Sequence, residues 1–238
     1  MSEDGLILWA QVGAGLLLLG GMLWLSVRLE RKRALACRAF AAENGFRMDA
    51  DTAGFQREMA TFKLFNQGRG RMVKNLLRGS RGDVAIAVCD YQFTIGSGKS
   101  ERCHRQTVCA LRWADDSLPH FFLRPQIPVF DLLGSLFGGQ DVNFAEDAMF
   151  SKAYVLQTGG SEQALRDLFD ESVRSALILL APKNVQVEAR QGVLLLHNGR
   201  WQEVSQWPEL IDDALELRAT LSRRASFDRP PRRATPIE

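Results

Sequence analysis

Residues 83–113 read DVAIAVCDYQFTIGSGKSERCHRQTVCALRW. Ala85, Ala87, Cys89, Tyr91, Phe93 and Ile95 alternate onto one face of an extended segment, and Val84, Ile86 and Val88 make the opposite face apolar too. A period of two marks a strand, and apolar residues on both faces mark a strand covered from both sides. Residues 102–113 have the same character, so 83–95 and 102–113 are expected to form a hairpin across Gly96-Ser97-Gly98-Lys99-Ser100. Asp90 interrupts the apolar run just before the Tyr91/Phe93 aromatic pair. It either ends burial there or accepts hydrogen bonds from the next strand, where Gln106 could reach it.

Outward from this hairpin, 71–78, 120–124 and 152–157 read as further strands, and Phe130–Phe137 as a short helix between Pro128 and Gly138-Gly139. After Gly159-Gly160, Ser161 can cap a helix whose stripe is Leu165, Leu168, Phe169, Val173, Ala176, Leu177 and Leu180, ending at Pro182. Residues 184–189 and 193–197 suit a hairpin turning at Gln191-Gly192. A last helix starts at Pro208 and buries Leu210, Ile211, Ala214, Leu217 and Leu221. Strands first, then strand, helix, hairpin and helix, argue for an α+β domain with a mostly antiparallel sheet and two packed helices.

The chain opens differently. Leu6–Leu25 contains no charged residue, and only Gln11 is strongly polar. At ~1.5 Å per residue such a helix matches the ~30 Å hydrocarbon core of a bilayer. The start is acidic (Glu3, Asp4) and no small-residue cleavage site follows, unlike a signal peptide. The expected layout is a short exterior terminus at 1–5, a transmembrane helix at 6–27 and a juxtamembrane helix at 28–46 that stops near Gly45. A cytoplasmic α+β domain at 47–224 and a disordered basic tail at 225–238 complete it. Trp9 and Trp24 suit the two interfaces, and Arg28, Arg31, Lys32 and Arg33 form a basic collar that keeps the C-terminal part on the cytoplasmic side of an inner membrane. Ala10, Ala14 and Gly21 share a helix face, as do Gly13 and Gly20, which leaves room for self-association although no G-x-x-x-G occurs.

The formal charge of +2 over 238 residues conceals an uneven distribution. The run GRGRMVKNLLRGSRG at 68–82 presents Arg69, Arg71, Lys74, Arg78 and Arg81 as a candidate surface for an anionic partner, whether lipid headgroups or another membrane protein. It lacks the interleaved aromatics of single-strand nucleic-acid binders. Residues 115–147 are acidic, with six Asp or Glu against Arg124. GSGKS resembles the end of a phosphate-binding loop, but Phe93 stands where glycine is required and a strand follows instead of a helix.

Cys37, Cys89, Cys103 and Cys109 are irregularly spaced, which fits reduced thiols better than a disulfide framework. Adjacent Cys103 and His104 point to opposite faces of a strand and cannot readily share an ion. No motif links Cys to His104, His120 or His197, so no catalytic residue, metal or cofactor is assigned.

The succession Asp90-Tyr91-x-Phe93, Gly96-Ser-Gly-Lys99, Gln106-Thr-Val108, Leu118-Pro119, Phe122-Leu-Arg-Pro125, Asp141-Val-x-Phe144 and Phe150-Ser-x-x-Tyr154 resembles an uncharacterised family of bacterial single-pass membrane-anchored proteins. The resemblance covers roughly residues 30–200. It implies an inner-membrane protein with a cytoplasmic domain, and it carries no established activity. The favoured expectation is a noncatalytic domain that binds a protein partner or anionic lipid headgroups at the membrane surface. The alternative is a membrane-tethered enzyme with a site around Asp90/Gln106 or a Cys/His pair.

Overall fold

A computed structural model describes residues 3–113, 118–126 and 140–227, with backbone alone for 3–14, Leu18 and 223–227. Among these residues, nine strands form one sheet in which every neighbouring pair is antiparallel, in the order β1 (Arg47–Met48), β2 (Arg69–Arg81), β3 (Val84–Ile95), β4 (Arg102–Arg112), β9 (Val193–His197), β8 (Gln186–Arg190), β5 (Phe121–Pro125), β7 (Tyr154–Thr158) and β6 (Gln140–Val142). The central hairpin is β3 (Val84–Ile95) and β4 (Arg102–Arg112), in unbroken register from Ala85↔Arg112 to Ile95↔Arg102. GSGKS is its turn. Gly96 takes φ +84°, where a Cβ would come within 2.5 Å of the Ser100 carbonyl oxygen, and Gly98–Ser100 form one tight 3-10 turn.

Both faces of the sheet are covered, as the double alternation required. Val84, Ile86, Val88, Cys109, Leu111, Leu194 and Leu196 face one core. Ala87, Cys89, Tyr91, Phe93, Val108, Ala110, Val193 and Leu195 face the other. Over the first face pack the end of α1 (Glu3–Asn44), then α4 (Ala148–Ala153), α5 (Glu162–Leu168), α6 (Glu171–Leu180) and α7 (Trp207–Phe227). The second is closed by α2 (Thr52–Glu58), the 3-10 turn after it and α3 (Lys63–Asn66), through Phe55, Met59, Phe62 and Phe65. β2 (Arg69–Arg81) bulges between Lys74 and Leu77, where Asn75 takes φ +49°.

Several expectations need correction. The helix read from Ser161 to Leu180 is two helices, because Asp170 caps a new one by accepting from the Val173 amide. The helical layer is larger than two helices, since the end of α1 is itself core. Strands β1 (Arg47–Met48) and β6 (Gln140–Val142) are two or three residues long and carry no periodic signal. The expected helix at 130–137, together with Asp115, Asp116 and Asp131, lies outside the described residues; of the tail expected at 225–238, residues 225–227 instead continue α7 and the rest lies outside the described residues.

α1 is 42 residues long, so about 63 Å. Its last turns dock through Arg33, Cys37, Phe40 and Ala41, an i, i+4, i+7, i+8 stripe, with Phe40 against Phe46 and Trp207 at ring distances of 5.7 Å. Gly45 at φ +72° ends it, and the Phe46 amide reaches back to the Ala41 carbonyl at 2.9 Å. Upstream, the apolar side chains have no cover: Leu17 is 79% exposed, Met22 70% and Leu23 68%. Among the described residues no helix is long and apolar enough to cross a membrane. The span expected at 6–27 includes the side chains of 6–14 and Leu18, which lie outside them.

Candidate functional site

The chain concentrates buried charge where α1 meets the sheet. Strand alternation turns Asp90 towards α1, on the face of Val84, Ile86 and Val88. One oxygen of its carboxylate accepts from Arg33 Nη2 at 2.7 Å and the other from Arg33 Nε at 3.0 Å. Both side chains are over 90% buried. A buried bidentate pair holds only when its remaining lone pairs are also satisfied. The bulge supplies one donor, because positive φ at Asn75 lets its amide reach Asp90 at 2.8 Å. Thr107, opposite Asp90 in register, adds its hydroxyl at 3.4 Å.

The same threonine anchors the loop before α7. Its Oγ1 accepts from the Gln202 amide at 3.1 Å and its own amide donates to the Arg200 carbonyl at 2.9 Å. That loop presents Trp201, whose ring lies 4.4 Å from the Arg33 guanidinium carbon, with Trp207 at 5.3 Å on the same cation. One arginine therefore joins α1, β3 and the start of α7.

Beside this joint lies a groove of about 510 Å³ between α1 and β2–β4. Val27, Leu29, Met72 and Trp201 supply its apolar surface, while Arg31, Arg105 and the Lys74–Glu30 pair (2.7 Å) supply its charge.

The expected site residues divide as follows. Arg33, read with the membrane collar, is 6% exposed and points into the domain. Arg28, Arg31 and Lys32 are exposed, and the Arg28 guanidinium sits 5.1 Å from the ring of Trp24, itself 62% exposed. The Trp9 side chain lies outside the described residues.

The basic run does not make one patch. Lys74 pairs with Glu30 of α1, and Arg81 lies over Phe46 and donates to the Asn44 carbonyl. Arg78 instead lies over Phe55 of α2 and binds Asp49 and Glu58. Arg69 pairs with Glu101, and Arg71 donates to the Gly68 and Phe65 carbonyls. Strand alternation splits the charges between faces, and neighbouring acids occupy three of the five.

Asp90 and Gln106 do not assemble. Gln106 pairs with Tyr91 and Thr107 with Asp90, so their side chains leave opposite faces of the sheet. Burial pushes the Cys37 thiol up to about 12, with the Asp90 carboxylate adding to the rise. It does the same to Cys109, and holds Cys89 well above its ordinary value. Cys103 is exposed, and its neighbour His104 stacks on Phe93. Burial drives His197 down to about 4, and its Nδ1 accepts from the Gly199 amide. Among the described residues no group of three or more His, Cys, Asp or Glu is placed to hold a metal ion.

A second buried carboxylate escaped the sequence reading. Glu188 on β8 (Gln186–Arg190) accepts from the Lys63 amide at 2.8 Å and lies 3.7 Å from His120 Nε2. Burial raises it to about 7, against the opposing pull of Lys63 and Arg190. Burial, Arg190 and Lys63 lower His120. Isolated charges within strand patterns were the available signal for Asp90 and Glu188 alike.

No family model matches the chain, and neither does any curated protein. The fold, an antiparallel sheet covered on both faces, has a solved counterpart. It is the crystal structure of the mycobacterial trehalose monomycolate transport factor A, TtfA, with a TM-score of 0.55 and 14% identity over 80% of this chain and 95% of that one. At that identity the likeness is one of fold.

Proposed function

We propose that the protein is a single-pass, noncatalytic binding domain, held by residues 6–27 in a bacterial inner membrane with its N-terminus outside and its α+β domain in the cytoplasm. One observation carries this reading: α1 is half core and half bare. From Arg33 onward it is locked to the sheet, whereas its preceding turns expose Leu16, Leu17, Leu19, Met22, Leu23, Trp24 and Leu25. A contiguous apolar surface of that kind calls for a membrane or a partner. The uncharged sequence of residues 6–25 and the basic residues after it favour a membrane and this orientation.

The noncatalytic half of the proposal draws on Asp90, whose oxygens are committed to Arg33, Asn75 and Thr107, and on three thiols raised by burial. Purification of the full chain from native membranes in mild detergent tests the binding role. A stoichiometric co-purifying membrane protein, or retention on anionic vesicles, supports it. A monodisperse chain with neither property overturns it.

A further inference from the structure

We infer that the groove between α1 and β2–β4 seats one anionic glycerophospholipid from the adjoining leaflet. Its phosphate lies between Arg31 and Arg105, and the first methylenes of its acyl chains lie along Val27, Leu29, Met72 and Trp201. The inference rests on the membrane-anchored reading above and specifies what the anchored domain holds.

Charge selects the headgroup. The groove is lined by four cations, Arg31, Arg33, Lys74 and Arg105, and by two acids, Glu30 and Asp90. Asp90 is consumed by Arg33 and Glu30 by Lys74, each at 2.7 Å. Arg31 and Arg105 have no acid within salt-bridge distance among the described residues, and both are exposed. Two guanidiniums outside any salt bridge, with Glu30 acting on Arg105 only at longer range, fit a phosphate, which takes paired N–H donors from each.

The apolar wall selects the rest of the ligand. Val27 is 47% exposed, Leu29 55%, Met72 45% and Trp201 44%, and all four line the same groove. Large apolar side chains gathered beside cations that form no salt bridge suit an amphiphile better than a free phosphate. A volume of about 510 Å³ is ordinary for a small-molecule site, about 300–1,000 Å³, and too small for a packed helix of a protein partner. The position agrees: Val27 ends the expected span, and Arg31 lies about 6 Å further along the helix axis, at headgroup depth. Val27 and Leu29 thus bring apolar side chains of α1 from the end of the expected span into the groove.

The test uses the full chain with Trp9→Phe and Trp24→Phe in mild detergent, titrated with phosphatidylglycerol or phosphatidylcholine brominated on the acyl chains. Indole fluorescence is the readout, and Trp201→Phe identifies the Trp201 signal. Saturable quenching of Trp201 by the brominated phosphatidylglycerol is expected. The half-quenching concentration should rise about 25-fold in Arg31→Gln/Arg105→Gln, at about fivefold per basic residue removed. Neither arginine is buried, so the variant is expected to fold.

Equal quenching by phosphatidylcholine, or none by either lipid, overturns the inference. So does quenching by phosphatidylglycerol that the double variant leaves unchanged. Flotation of the same protein with vesicles separates this failure from that of the anchored reading: a chain that floats without Trp201 quenching refutes the groove alone, and a chain that does not float refutes both.

Discussion

Removing the Asp90 carboxylate with Asp90→Ala leaves Arg33 buried at 6% exposure, its charge facing only the Trp201 and Trp207 rings. Breaking a buried pair from one side costs about 3–5 kcal/mol, because an unpaired charge stays in a poorly solvated place. Here Asn75 and Thr107 also lose their acceptor, which puts the expected loss near the top of that range. Arg33→Met is milder, since Asp90 keeps Asn75 and Thr107 as partners, so about 2–3 kcal/mol is expected. In Arg33→Met/Asp90→Ala neither charge remains, and the losses should fall short of additivity by about 2 kcal/mol.

Urea unfolding of the full chain in mild detergent, followed by indole fluorescence, measures all three. With a slope of about 2 kcal/mol/M, Asp90→Ala should lower the midpoint by about 2 M. A shift below about 0.5 M, or single losses that add within ~0.5 kcal/mol, would refute the idea that this pair joins α1 to the sheet.

Glu188 and His197 give stability opposite pH dependences. Glu188 binds its proton more tightly folded (about 7) than unfolded (4.5), so its contribution is full below 4.5 and is lost as pH rises through 7. His197 is depressed from 6.5 to about 4, so its contribution is full above 6.5 and is lost as pH falls through 4. Wild-type stability should therefore vary little between pH 4.5 and 6.5. Glu188→Gln should expose a fall on acidification of roughly 2–3 kcal/mol, read from melts across that window; a variant as flat as the wild type would contradict the assignment. Phe40→Ala should cost about 3–4 kcal/mol in the same urea assay and speed proteolysis within α1 by loosening its contact with Phe46 and Trp207. In the GSGKS turn, Lys99→Ala should shift stability by less than about 0.5 kcal/mol, whereas Gly96→Ala should cost about 1–3 kcal/mol, and calorimetry with ATP should register no binding.

Local periodicity carried most of the fold. Both cores could be read from alternation in 84–95, because each side chain's face depends only on its parity along the strand. The Gln191-Gly192 hairpin was legible because both residues take positive φ, as such a turn demands. What failed was set by distant parts of the chain. Arg33 sits among exposed basic residues in sequence, and nothing local reveals that a carboxylate 57 residues away has claimed it. Gln106 was matched to Asp90, yet one residue of register gives that place to Thr107 and sends Gln106 through to the other face. Asn75, Trp201 and Glu188 carry no pattern of their own. Asn75 matters through a bulge, Trp201 through a loop tied to Thr107, and Glu188 through burial beneath Lys63 and His120.

In the proposed arrangement the bare half of α1 lies in a bilayer while its docked half holds the domain against it. Alkaline carbonate extraction of membranes containing the full chain tests this most directly, because carbonate strips peripheral proteins and leaves spanning helices in place. The chain is expected to stay in the membrane pellet and to move to the supernatant when residues 6–27 are replaced by a polar helix. Release of the unaltered chain into the supernatant would contradict it.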